Sequence, residues 1–312
     1  MDELLVGLAA ALCFVFGWNN SSFLIGNLRG AGSLSFVWAI ILSVAGLLIG
    51  TLLEGSKMGG ALAGSLAPST TYSVLLSVLA VSVALTLVLT LLDLPVSFSM
   101  IMVGAFLGAT FATSIPVNMA RSEEVIGFWF LAPLATALIT FGIYDFAAGF
   151  ASRFGILAVD SMNRAGAIVS GLAVSYTLGA NNIGLFYAGT VVSAFGTSVD
   201  PMTVLILVLA GTLGVVALGR TALGGTMGDK MLTLSPQGVF SAFVSSSIVV
   251  WVGTQFGLPV SISQCLLGGM LGAAYSRIVA AVNRKLVGET LSMWVVAPLV
   301  AFAAAYAVAN FV

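Results

Sequence analysis

Histidine does not occur in this chain, and only 7% of its 312 residues carry charge. The first absence removes the side chain that titrates near neutrality and most often binds metal. The second removes the solvated surface of a soluble domain, in which about a quarter of residues are charged. Only two cysteines are present, Cys13 and Cys265, each inside an apolar run. Both read as small buried hydrophobes, not as a disulfide or a metal site. The net charge is −1 and no run of Lys or Arg occurs, so nucleic acid is not an expected partner. The amino terminus, Met1-Asp2-Glu3-Leu4-Leu5, lacks the basic region of a cleaved signal peptide, and the first apolar run is expected to be kept. With no histidine, no metal-ligand cluster and no nucleophile set beside a base, the chain is not expected to be an enzyme.

What is present is apolar: 60% of residues are hydrophobic and the mean hydropathy is +1.16. Ten apolar runs are long enough to be read as membrane segments, at 4–25, 34–53, 73–92, 95–118, 125–150, 166–192, 202–218, 238–257, 259–276 and 287–311. They are continuous and exceed the length of a barrel strand, so the expected fold is an all-α polytopic membrane protein. Basic residues orient it. With the amino terminus outside, Arg29, Arg153, Arg164, Arg220, Lys230, Arg277, Arg284 and Lys285 lie inside, and only Lys57 and Arg121 lie outside. Both termini are then expected outside a plasma membrane. That parity would fail if the fourth and ninth runs were re-entrant hairpins that do not cross.

The second half of the chain repeats the first. Gly17-Trp18-Asn19-Asn20 recurs as Gly179-Ala180-Asn181-Asn182, Leu94-Pro95-Val96-Ser97 as Leu258-Pro259-Val260-Ser261, and Phe128-Trp129-Phe130-Leu131-Ala132-Pro133 as Met293-Trp294-Val295-Val296-Ala297-Pro298, at offsets of 162, 164 and 165 residues. Residues 1–150 form an amino-terminal repeat, 151–165 a cytoplasmic linker and 166–312 a carboxy-terminal repeat of one transport domain. Five runs per half make the second copy enter from the opposite side, the inverted-topology repeat of secondary transporters.

Two constellations carry the chemistry. Asparagine and glycine at membrane depth are costly without partners, so the Asn motifs are expected to break their helices beside a cavity. Close helix packing alone is the alternative for such small residues, and it suits Gly104 and Gly108. In the second constellation, Pro95 and Pro259 start helices whose first turns carry Ser97, Ser99, Ser261, Ser263 and Gln264. Two facing helix starts form an anion site without any Lys or Arg.

Together with Trp129-x-x-Ala-Pro133, Trp294-x-x-Ala-Pro298 and Pro236-Gln237-Gly238, these pairs resemble the inorganic phosphate transporter (PiT) family, which also contains sulfate permeases. The resemblance covers residues 10–306. It implies a symporter that moves phosphate by alternating access with Na+ or H+ as coupling ion and no other cofactor. The anion is expected at Ser97, Ser99, Ser261, Ser263, Gln264, Asn19 and Asn181, and a cation at Asn20, Asn182, Ser21 and Ser22. The family's motifs carry aspartate where Asn20 and Asn182 stand, a further asparagine at Phe23 and Leu185, and histidine at Met100 and Gln264. An amide offers oxygen to a cation but neither charge nor an exchangeable proton, so Na+ is favoured over H+. A site without carboxylates also suits sulfate. Phosphate is placed ahead on the resemblance, with sulfate or another tetrahedral oxyanion as the alternative. A transport-inactive membrane receptor or assembly subunit is the alternative of another class. Lipid is an expected partner, and homo-oligomerisation is left open. Asp145 is expected as a structural acid near Arg153, and Trp129 and Trp294 as interfacial residues.

Overall fold

Amides facing lipid have no water to bond, so runs of this composition close their hydrogen bonds within themselves as helices. Each of the ten runs lies on helix in the computed structural model, which describes residues 3–30, 34–92, 94, 97–190, 200–218, 234–276 and 283–311; no strand occurs among them. The helices are α1 (Glu3–Gly30), α2 (Phe36–Glu54), α3 (Tyr72–Leu91), α4 (Phe98–Ala112), α5 (Met119–Ala151), α6 (Ile156–Leu178), α7 (Gly184–Ala188), α8 (Pro201–Leu218), α9 (Pro236–Gln255), α10 (Ile262–Ser276) and α11 (Arg284–Ala309). Their starts are set by capping side chains. Asn118 accepts from Arg121 N–H at 3.2 Å, Ser235 from Gly238 N–H at 3.2 Å ahead of Pro236, and Asn283 from Leu286 N–H at 3.2 Å.

Among the described residues, six helices are long and apolar enough to cross a membrane, namely α1, α2, α3, α5, α9 and α11. Helices α4 and α8 are apolar but shorter. Short turns join α3 to α4 and α9 to α10, which makes each pair a helical hairpin.

Packing repeats with the halves exchanged. Helix α4 lies on α11 through Gly104 against Pro298 and Gly108 against Phe302; α10 lies on α5 through Gly268 against Pro133 and Gly272 against Ala137. In the same way Gly17 meets Gly211 and Gly214 meets Phe14, while Gly179 meets Leu47 and Gly50 meets Tyr176. At each contact an added Cβ would strike the partner's backbone oxygen. Glycine is required because main chains, not side chains, touch.

One expectation fails here. The helices are not discontinuous at the asparagine motifs: α1 runs unbroken through Gly17, Asn19 and Asn20, and the second copy departs from α geometry only as a π turn, Gly179–Ile183. The buried Asn20 amide donates to Phe16 O at 3.0 Å, one turn back, so its cost is met without unwinding the chain.

Candidate functional site

The interruption expected at the asparagines occurs at the two hairpin tips, and the tips touch. Ser97 caps α4 and Ser261 precedes α10; Ser97 Oγ donates to Ser261 Oγ at 2.8 Å. Ser261 Oγ also lies 3.1 Å from Ser263 Oγ and accepts the Gln264 backbone N–H at 3.3 Å, an N-cap bond. Ser97 makes no such bond to its own helix, because its hydroxyl reaches across to the other half. Two helix amino termini therefore converge on one serine cluster. Each contributes about half a positive charge.

Both asparagine motifs support these hairpins. Asn181 Nδ2 donates to Thr254 Oγ1 and Leu258 O, each at 3.0 Å, while its Oδ1 accepts Val260 N–H at 3.0 Å. Asn19 Nδ2 donates to Thr90 Oγ1 at 3.3 Å, the same bond in the first half. Residue 90 lies 164 before residue 254, so the motifs and their partners are duplicated together. Trp129, buried and four residues ahead of Pro133, donates from Nε1 to Pro259 O at 2.9 Å. It pins the second tip and is not an interfacial residue. The apolar pattern concealed that role.

Of the residues expected to form the site, the fold joins Ser97, Ser261, Ser263 and Gln264 in one cluster and bonds Asn181 to the second tip. Ser97, Ser99, Ser261, Gln264, Asn20, Asn181 and Asn182 are buried, and Asn19 and Ser263 are half-buried. The side chains of Ser21 and Ser22, and Pro95 and Val96 of the first tip, lie outside the described residues. Three buried polar atoms of this set have no hydrogen-bond partner among the described residues: Ser99 Oγ, Asn182 Nδ2 and Gln264 Oε1. Such atoms cost about 1–3 kcal/mol each when unmet, so they mark where a polar ligand would be received. Gln264 also lines an apolar cavity of about 610 Å3 with Met100, Trp129 and Trp294.

An aromatic cluster that the sequence reading missed closes the cluster off from α1 and α7. Phe98, between the two serines of α4, packs edge-on to Phe16 at 5.2 Å, and Phe16 packs likewise on Phe186 at 5.2 Å. Only their spacing on separate helices could have hinted at this. Asp145 stands exposed on α5 and forms no ion pair with Arg153 among the described residues. Both cysteines are free and buried.

The chain matches the family model described as "Phosphate transporter family" over residues 16–163 and 154–305. It is 26% identical over 211 residues to a Methanocaldococcus jannaschii protein named "Putative phosphate permease", an alignment covering 67% of this chain and 65% of that one, just under two thirds of the relative's length. It is 25% identical to the sulfate permease of Bacillus subtilis over 69% of this chain and 60% of that one. A solved structure titled "The sodium-dependent phosphate transporter" superposes with a TM-score of 0.82 over 98% of this chain and 97% of that one, at 17% identity, which establishes a shared fold.

Proposed function

The chain belongs to the phosphate transporter family, and from that premise we propose that it is a secondary active symporter carrying inorganic phosphate across the plasma membrane by alternating access, with Na+ as the coupling ion. The observation that carries this reading is the contact between Ser97 and Ser261. Two helix starts from opposite halves present hydroxyls and free backbone N–H groups to one point, which suits a tetrahedral oxyanion. In the ligand-bound state the serine hydroxyls turn from each other to the anion.

Topology follows from the same contact. Helices α4 and α10 have 15 residues each, a length of about 22 Å against about 30 Å of hydrocarbon. We read α3–α4 and α9–α10 as hairpins that enter and return, one from each side, with Ser97 and Ser261 meeting between the two faces and residues 255–257 of the α9–α10 turn reaching the outer one. Three crossings then remain in each half, α1, α2 and α5 against α6–α7, α8 and α11. The parity stays odd, the repeats stay inverted, and every basic residue keeps the side assigned by the sequence. The paired glycine contacts support this internal twofold relation.

Phosphate differs from sulfate in carrying a hydroxyl that needs an acceptor. Gln264 Oε1, buried and unpartnered one turn from Ser261, supplies one. Asn182 offers a donor to the anion through Nδ2 and an oxygen to a cation through Oδ1, and Asn20, Ser21 and Ser22 complete the cation assignment. Two helix starts give about one positive charge in total, so a dianion requires a cation beside it. Uptake of radiolabelled phosphate and sulfate into proteoliposomes tests the whole reading. Phosphate uptake should need an inward Na+ gradient and should follow pH only through substrate ionisation. Undiminished uptake in Na+-free medium under an inward proton gradient would overturn the coupling, and sulfate preference would overturn the substrate.

A further inference from the structure

The two basic residues that fall on the outer side against the charge bias, Lys57 and Arg121, come from separate helices and meet in one place. With Gly60, Gly64, Ser65, Gln255 and Gly257 they line an open cavity of about 450 Å3, and they are its only charged lining residues. The acids that pair with them, Glu54 at 2.7 Å and Glu124 at 2.6 Å, do not line the cavity, and Glu54 also accepts from Gln255 Nε2 at 3.3 Å. Glu123 is exposed on the same turn as Arg121.

Both cations hold the second hairpin tip. Helix α9 ends in a Schellman turn, with Leu258 N–H bonded to Gly253 O at 2.9 Å, Gly257 N–H to Thr254 O at 3.0 Å, and Gly257 at φ 61°. That turn leaves the carbonyls of Phe256 and Gly257 pointing outward, and Arg121 Nη2 donates to them at 2.5 and 3.2 Å. Lys57 Nζ donates to Gln255 Oε1 at 2.5 Å. Three successive residues, 255 to 257, are thus fastened by two cations. Four residues further on stands Ser261.

We propose that this cavity is a first docking site for an oxyanion, separate from the serine pair, and that the docking anion releases the α9–α10 tip by drawing the N–H donors of Lys57 and Arg121 away from residues 255–257. A ligand shifts a conformational balance only through its differential affinity for the two states. Here the difference is built in, because the donors that would bind the anion are engaged when the tip is fastened. The proposal rests on the outer placement of this face and on an oxyanion as substrate, and its test reads charge and access without transport.

In a Ser65→Cys variant, an impermeant anionic thiosulfonate reagent should react faster than a cationic one of similar size, because Lys57 and Arg121 line the cleft and their acid partners do not. The preference should fall toward unity in Arg121→Gln and Lys57→Gln and at high ionic strength. Inorganic phosphate should slow the labelling, and should still do so when Ser261→Ala has removed the deeper contact. Arg121→Lys, which keeps the charge, should keep most of the preference and so control for misfolding. Equal rates for the two reagents, or phosphate protection lost with Ser261→Ala, would overturn the proposal. Anion-selective, phosphate-protected labelling in a protein that transports neither phosphate nor sulfate would leave this site standing and remove the transport reading alone.

Discussion

The two asparagine motifs share a sequence pattern but differ in backbone geometry and burial. In the second half, Asn181 sits fully buried in a π turn and bonds three partners of its hairpin, while Trp129 and Arg121 hold the same tip from outside. In the first half, Asn19 is half-buried on an unbroken α-helix and meets Thr90 at 3.3 Å. The position matching Arg121 at the repeat offset is Leu286, and its basic neighbour Lys285 reaches back to Glu289 at 3.9 Å within its own helix. Arg121 therefore has no basic counterpart at the matching position of the second repeat, while the serine contact joins the two halves.

The comparison presupposes that the halves are inverted, and that is an all-or-none matter. Asn310→Cys should react with an impermeant reagent applied outside, and Arg164→Cys should not. Labelling of 164 but not 310 would end the comparison. Next in size is the loss of the buried asparagine. Asn181→Ala leaves Val260 N–H and Leu258 O buried without that partner and should lower stability by about 3 kcal/mol. Denaturation of the detergent-solubilised protein measures it, and a loss well below about 1 kcal/mol would mean that Asn181 does not hold the tip. A smaller effect is expected at the tryptophans. Trp129→Phe keeps most of the ring but loses the donor to Pro259 O, at about 1 kcal/mol, while Trp294→Phe, at a half-buried position, should cost less.

The helical membrane fold was legible in the sequence because it rests on composition, and the two Leu-Pro-Val-Ser segments because their motif is present twice. The serines of the two Leu-Pro-Val-Ser segments were identified as a pair before any contact between them was visible, and Ser97 and Ser261 do touch. The asparagine helices were misjudged because sequence registers the cost of a buried amide but not the carbonyl that meets it; Phe16 O does so for Asn20. Trp129 and Arg121 were missed as parts of the site because their partners are backbone carbonyls, which leave no mark on composition. The Phe16–Phe98–Phe186 cluster joins three distant segments without periodicity.

The central claim is that Ser97 and Ser261 hold one oxyanion together. Titration calorimetry of inorganic phosphate, in Na+, against the parent protein, Ser97→Ala, Ser261→Ala and the double variant addresses it directly. Each single change should weaken binding by about 1–3 kcal/mol, the double change by less than the sum, since contacts to a shared ligand are coupled. Phosphate affinity unaltered in both single variants would contradict the account and place the site away from the hairpin tips.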